Sequence, residues 1–150
     1  MDSIATILAR AKERAALLKV PYAGALLPSE AHALLNADPS AKLVDVRTKA
    51  ELEWVGQVPG AISVEWNTWP GGRNPDFLKQ LEAAMPAKDT PVMFLCRSGG
   101  RSNSTASVAA GAGYTNSFNV LEGFEGDKDA DGHRNTVGGW RKAGLPWTQG

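Results

Sequence analysis

The chain has 150 residues, 43% of them hydrophobic, and this size suits one globular domain with a single core. Its 16 basic and 16 acidic side chains cancel, so no net charge recruits nucleic acid or an anionic membrane. A single cysteine excludes an internal disulfide framework and predicts a reducing, cytoplasmic location. No apolar run approaches the length of a membrane span, and charges at residues 10–14 interrupt any export signal.

Residues 1–22 are predicted to form an amphipathic helix ahead of a main domain at 23–150. Ser3 is a suitable N-cap, and apolar residues recur at helical spacing from Ile4 to Leu18. The charged face around Arg10 and Arg14 is expected to be solvated surface. The apolar face either packs on the domain, which we expect, or pairs with a second subunit.

Short apolar strands then alternate with helices along the rest of the chain. Near-continuous apolar strands separated by helices predict an α/β fold, a parallel sheet of about five strands with helices on both faces. The predicted strands are 24–27, 42–47, 61–64, 91–95 and 117–121, and the predicted helices after the first begin at 28, 48, 75, 104 and 139.

Charged and aromatic residues follow the second and third strands. Asp45 and Arg47 lie at the C-terminal end of a strand, which is where parallel sheets form their sites. Glu51 lies near the start of the next helix, where the helix dipole favours a negative charge, and it is within reach of Arg47. Trp66 and Trp69 occur in a Gly/Pro-rich loop, where they either plug the edge of the core or form the wall of a pocket.

The only cysteine lies at the turn between the fourth strand and the next helix. Two glycines let successive backbone N–H groups converge there, and a helix N-terminus adds partial positive charge. A lone cysteine after an apolar strand is also typical of a core, but a core needs neither the glycines nor the flanking arginines. The pattern therefore predicts a nucleophilic thiolate below a bound anion. The turn consists of Cys96, Arg97, Ser98, Gly99, Gly100, Arg101 and Ser102.

The segment 123–138 is polar and Gly-rich and interrupts the alternation of strands and helices. Asp127, Asp129 and Asp131 match the first half of a calcium loop, but Gly138 stands where the bidentate glutamate is required. No metal is therefore assigned, and a solvated loop is expected. His133 and Arg134 are placed to fold over the cysteine turn as a lid.

Together these motifs resemble the rhodanese family of sulfurtransferases in its single-domain form. The matching pieces occur in family order from about residue 24 to residue 147. They are 43–47, 58–61, the cysteine turn, 121–123, and 139–140 with 144–146. The sequence departs from the family pattern at Gln57, where histidine is frequent, in a longer 51–55 segment, and in the 123–138 insertion.

The resemblance implies that Cys96 takes sulfur from a small anionic donor such as thiosulfate, becomes a persulfide, and passes the sulfur to cyanide, a thiol or a sulfur-carrier protein. The turn's backbone N–H groups would hold the persulfide, and Arg97 and Arg101 would bind the donor. Asp45 and Arg47 would form a structural ion pair beside the turn. No metal or organic cofactor is implied.

Two other functions remain open. Related phosphatases resemble this family but have a loop of cysteine, five residues and then arginine. Here Arg101 follows Cys96 after four residues, and Ser102 stands at the position of the phosphatase arginine. The shorter loop favours sulfur over phosphate, with a phosphatase or an arsenate reductase as the alternative. The second alternative is a non-enzymatic module that binds a partner or carries sulfur.

Overall fold

The computed structural model describes residues 3–69 and 71–149. Residues 1, 2 and 150, at the ends of the two predicted segments, and Pro70, in the tryptophan loop, lie outside the described residues. The helices are α1 (Ile4–Leu18), α2 (Pro28–Ala37), α3 (Lys49–Val55), α4 (Phe77–Ala84) and α5 (Gly100–Gly111). The strands are β1 (Gly24–Leu26), β2 (Lys42–Asp45), β3 (Ile62–Ser63), β4 (Val92–Leu95) and β5 (Ser117–Val120).

The five strands form one parallel sheet in the order β1-β5-β4-β2-β3, which confirms the predicted fold class. Neighbouring residues of a strand point to opposite faces, so Leu43 and Val44 enter two separate apolar clusters. The helices α1 and α2 contribute to one cluster, and α4 and α5 contribute to the other. Because both faces are covered, β4 is buried at all four positions, as its unbroken apolar run predicts.

The N-terminal helix packs on the same sheet as the rest of the chain. Ser3 caps it by accepting a hydrogen bond from the backbone N–H of Thr6, and its buried residues are Ile7, Ala11 and Ala15. Leu18, which the helical spacing placed on the apolar face, is instead 55% exposed. The charged face also differs from the expected solvated surface, because Arg14 binds the carboxylate of Glu30 on α2 at 2.6 Å.

Two predicted helices differ most from the structure, and both differences involve glycine. The helix expected from Ser104 begins at Gly100, and Gly99, with a positive φ of 111°, is its N-cap. Helix propensity disfavours glycine inside a helix, so the sequence pattern predicts a later start. The helix expected over 139–144 is a series of turns, since Gly139 and Gly144 both have positive φ. Trp140 is nevertheless fully buried there, and its indole N–H donates to the carbonyl of Pro146.

Within residues 3–69 and 71–149, no helix combines the length and the apolar composition that crossing a bilayer requires. The C-terminal ends of β2 and β4 lie side by side, with Asp45 in register with Leu95. This edge of the sheet carries the candidate site.

Candidate active site

The sulfur of Cys96 lies at the bottom of the turn between β4 and α5. The side chain is 1% exposed, and its Sγ accepts backbone hydrogen bonds from Gly99 at 3.1 Å and Ser102 at 3.3 Å. Ser102 also places its hydroxyl oxygen 3.3 Å from Sγ. Because three polar groups converge on one sulfur, the environment differs from that of an inert core thiol and suits a sulfur that carries negative charge.

Further backbone donors of the same turn have no acceptor among the described residues. They are the N–H groups of Arg97, Ser98, Gly100 and Arg101. Two of them open helix α5, whose positive dipole end adds to their attraction for an anion. The turn therefore provides the donors that a persulfide or a small oxyanion requires.

A second segment supports the turn from its outer side. The backbone N–H groups of Phe124 and Glu125 donate to the carbonyls of Cys96 at 2.8 Å and Arg97 at 2.9 Å. Gly123 makes this approach possible, since it has a φ of 64° and a Cβ there would lie 2.6 Å from the carbonyl oxygen of Arg97. The start of the 123–138 segment thus holds these two carbonyls on the outer side of the turn. Because a peptide group is planar and trans, the N–H groups of the same two peptides, those of Arg97 and Ser98, point to the opposite side.

Arg101 binds Glu51 rather than an open anion site. Its two terminal nitrogens contact the two carboxylate oxygens of Glu51 at 2.6 and 2.9 Å, and Thr48 also donates to that carboxylate. Burial alone would raise the pKa of Glu51, but the hydrogen bonds and charge of Arg101, together with Thr48, lower it to about 2. The pairing of Glu51 with Arg47 expected from the sequence is therefore wrong, and Arg101 is already neutralised.

Arg97 is the guanidinium of the turn that remains available. It is exposed, and among the described residues it forms no side-chain hydrogen bond or ion pair. It lines an open cavity of about 610 Å³ together with Glu51, Arg101 and Glu125. The two arginines of the turn, which look equivalent in the sequence, therefore differ: Arg101 is paired with Glu51, and of the two only Arg97 offers an unpaired positive charge to a ligand.

Asp45 and Arg47 form an ion pair beneath the turn, as the resemblance implied. Arg47 Nη2 lies 2.7 Å from Asp45 Oδ2 and donates to the carbonyl of Gly56, and both side chains are at most 2% exposed. The guanidinium also stacks 4.2 Å from the ring centroid of Phe124. The pair joins β2, the turn before β3 and the 123–138 segment without hydrogen bonding to Cys96.

The two tryptophans of the loop after β3 have separate positions. Trp66 is buried, packs edge-on against Phe77 and lies under the guanidinium of Arg73, so it belongs to the core and does not line the cavity. Trp69 is 62% exposed, lines the cavity and contacts Trp54 edge-to-face at 5.4 Å between ring centroids. Trp54 is itself 60% exposed.

Glu51 and Trp54 are two of several residues that line the cavity and that the sequence patterns did not place in the site. For Glu51 the sequence pattern indicates a favourable charge near a helix start and a pairing with Arg47, and for Trp54 it indicates only a place in the 51–55 segment. Both lie on α3, and most of the cavity wall comes from this helix and the tryptophan loop. We call Arg97, Trp54 and Trp69 the mouth of the site, and Cys96, Ser102, Asp45 and Arg47 its floor.

The rest of the 123–138 segment lies away from the cavity. Arg134 donates to the carbonyl of Gly126, and neither His133 nor Arg134 lines the cavity, so the predicted lid is wrong in this structure. The carboxylate of Asp129 accepts bonds from Thr136 and from two backbone N–H groups within the loop. Across the described part of the chain, no three His, Cys, Asp or Glu side chains are grouped to hold a metal ion.

Comparison with known proteins identifies the family. The Rhodanese-like domain family matches residues 27–130. The uncharacterized protein RC0915 of Rickettsia conorii is 34% identical over 122 residues, covering 79% of this chain and 92% of the relative. Thiosulfate sulfurtransferase 16, chloroplastic, of Arabidopsis thaliana is 33% identical over 119 residues, covering 77% of this chain and 85% of the relative.

A solved structure agrees over most of the fold. The crystal structure of Rv0390 from M. tuberculosis has a TM-score of 0.80 and 47% sequence identity, covering 86% of this chain and 99% of that one. The similarity thus extends over nearly all of the neighbour's chain.

Proposed function

The chain belongs to the rhodanese-like domain family, and we propose that it is a sulfurtransferase that carries sulfane sulfur as a persulfide on Cys96. The observation that carries the proposal is the convergence of two backbone N–H groups on Sγ beside further N–H groups without acceptors. Such a turn stabilises negative charge on sulfur before and after the transfer. A named thiosulfate sulfurtransferase at 33% identity supports the same chemistry.

The reaction proceeds in two displacements at Cys96. The thiolate attacks the outer sulfur of thiosulfate, the sulfur–sulfur bond of the donor breaks, and sulfite leaves with the bonding electron pair. The product is a Cys96 persulfide whose terminal sulfur carries the negative charge. An acceptor thiolate or cyanide then attacks that terminal sulfur, which forms the acceptor persulfide or thiocyanate and restores the Cys96 thiolate.

The donor is a small anion that Arg97 binds. Arg101 cannot provide the same attraction because Glu51 occupies both of its terminal nitrogens. Arg97 is unpaired, exposed and part of the cavity lining, so it can approach the sulfonate end of the donor while the turn holds the sulfur end.

The acceptor enters through the mouth of the site. Because Cys96 is the only cysteine, no second thiol of the chain can resolve the persulfide, and the sulfur must leave on another molecule. The exposed rings of Trp54 and Trp69 offer apolar contact to an acceptor larger than cyanide, such as a thiol or a sulfur-carrier protein. We place this exchange in the cytoplasm, where thiol acceptors stay reduced.

The alternative on this fold is an enzyme for a tetrahedral oxyanion. At the position where such an enzyme carries its arginine this chain has Ser102, and the neighbouring Arg101 is paired with Glu51, so neither residue supplies the guanidinium that clamps a phosphate there. The geometry therefore supports sulfur transfer over phosphatase or arsenate reductase activity.

Parallel assays test this assignment. The purified chain is incubated with thiosulfate and cyanide, with an aryl phosphate, and with arsenate plus a thiol. We expect thiocyanate formation that Cys96→Ser abolishes, and no turnover of the two oxyanions. Efficient phosphatase or arsenate reductase activity without thiocyanate would overturn the proposal. A biological effect that persists in Cys96→Ser would instead favour a non-enzymatic module.

A further inference from the structure

A chain of buried polar side chains leads away from Cys96 into the core. Ser102 Oγ, 3.3 Å from Cys96 Sγ, donates to Asn119 Oδ1 at 2.5 Å. Asn119 Nδ2 in turn faces the hydroxyl of Tyr22 and the carbonyl of Gly99 at 3.5 and 3.4 Å. Ser102, Asn119 and Tyr22 are each at most 3% exposed, so solvent does not compete for these bonds.

The orientation of the Asn119 amide follows from its neighbours. The carbonyl of Gly99 can only accept, and the hydroxyl of Tyr22 gives its own proton to Asn103 Oδ1 at 2.7 Å. Both positions therefore require the NH₂ group of Asn119, which leaves its oxygen toward Ser102. Burial raises the pKa of Tyr22, against a smaller opposing effect of the hydrogen bond with Asn119, so Tyr22 remains a neutral donor.

Ser102 has one hydroxyl proton and two possible acceptors for it. While the proton points to Asn119, Ser102 can accept a bond from a Cys96 thiol but cannot donate one to sulfur. When Sγ is a thiolate, the same hydroxyl stabilises it only by turning away from Asn119. Asn119 and the anionic sulfur thus compete for one proton.

We propose that Asn119 is a positioning residue that favours the resting thiol of Cys96 by holding the hydroxyl proton of Ser102 away from the sulfur. This inference rests on the proposed role of Cys96 as the nucleophile. It assigns a function to a polar residue in the middle of β5, where an apolar residue would pack without a hydrogen-bonding requirement.

The charged groups near this sulfur belong to other elements and are unchanged by substitutions at Asn119. Arg101 on α5 interacts with Cys96 and with Asp45 at the end of β2, and Glu51 on α3 neutralises Arg101. Arg47 pairs with Asp45. A change in thiol reactivity on substituting Asn119 therefore reports the hydroxyl of Ser102 rather than a lost charge.

The test is the pH profile of iodoacetamide alkylation, followed by intact mass on the only cysteine. Asn119→Leu keeps the branched shape at Cγ and removes both polar atoms. We expect alkylation below the profile's midpoint to rise about threefold to tenfold, because the freed hydroxyl donates to the thiolate. In a Ser102→Ala background, the same substitution should leave the profile unchanged.

Other results overturn the inference. If Asn119→Leu leaves the profile of the otherwise wild-type protein unchanged, or shifts it equally in the Ser102→Ala variant, Asn119 does not act through the hydroxyl of Ser102. If Asn119→Leu does not fold, Tyr22→Phe replaces it, since losing the hydroxyl releases the Asn119 amide. A rise of about twofold is then expected, and no rise contradicts the inference. Alkylation needs no sulfur donor, so failure of the proposed sulfur transfer is seen separately.

Discussion

At the floor of the site, four polar or charged residues are at most 1% exposed, whereas at its mouth two tryptophans are 60% and 62% exposed beside an unpaired arginine. The floor is held by hydrogen bonds and an ion pair that water cannot replace. At the mouth, the two tryptophan rings contact each other, and the guanidinium of Arg97 has no hydrogen-bond or ion-pair partner among the described residues. We therefore expect substitutions at the floor to affect folding and thiol chemistry, and substitutions at the mouth to affect only which molecules bind.

The largest effect is expected at the buried ion pair of the floor. Arg47→Met leaves the carboxylate of Asp45 buried without its partner, which lowers the free energy of unfolding by about 3–5 kcal/mol. Urea unfolding followed by tryptophan fluorescence measures it. The double variant Asp45→Leu with Arg47→Met should recover most of the loss. A loss below about 1 kcal/mol in the single variant would mean that the pair does not support the floor.

The second effect concerns the ion pair between Arg101 and Glu51, which lies between the floor and the mouth. Glu51→Gln should lower the free energy of unfolding by about 2 kcal/mol at neutral pH, with Glu53→Gln on the same helix as the control. The pKa of Glu51 is lowered from 4.5 to about 2, so its contribution is complete above pH 4.5 and is lost as pH falls toward 2. The two stability curves should therefore converge in acid.

The same variant also separates stability from binding. Releasing Arg101 adds an unpaired charge beside Arg97, so the KM for thiosulfate should fall by about threefold while stability falls. An increase in KM would show that Glu51 orients Arg101 for the donor rather than neutralising it.

The third effect is expected at the mouth, where Arg97→Gln removes the unpaired guanidinium. The KM for thiosulfate should rise about tenfold, and the free energy of unfolding should change by less than about 0.5 kcal/mol. Lys79→Gln, an exposed change on α4, is the matched control. A large loss of stability in Arg97→Gln would assign this residue to the floor instead.

The smallest effect is expected for Trp54→Ala. It should raise the KM of a bulky thiol acceptor by about twofold to fivefold and leave the KM of cyanide unchanged, because cyanide is too small to reach the rings. Leu17→Ala, an exposed apolar change on α1, is the control. If both acceptors are affected equally, the mouth does not distinguish them.

The sequence predicts the sheet and the position of the cysteine because those signals are local. Apolar runs bounded by turn residues mark the five strands, and glycines after Cys96 mark the turn. Ion pairs are not local signals. Arg101 finds Glu51 across 50 positions of the chain, which no pattern along the sequence indicates.

The wrong pairing of Arg47 with Glu51 has a physical reason. The spacing of four suggests neighbours on a helix, but Thr48 is extended and caps α3, so Arg47 precedes the helix and points into the core. Likewise, the loop after β3 contains two tryptophans that look similar in the sequence, and only their burial separates Trp66 from Trp69.

Intact mass of the purified chain after incubation with thiosulfate tests the central claim most directly. The account predicts a gain of one sulfur atom that cyanide removes and that Cys96→Ser does not acquire, since Cys96 is the only thiol. An unchanged mass after thiosulfate and after a range of other sulfane donors, in a folded protein whose cysteine still reacts with iodoacetamide, would contradict it.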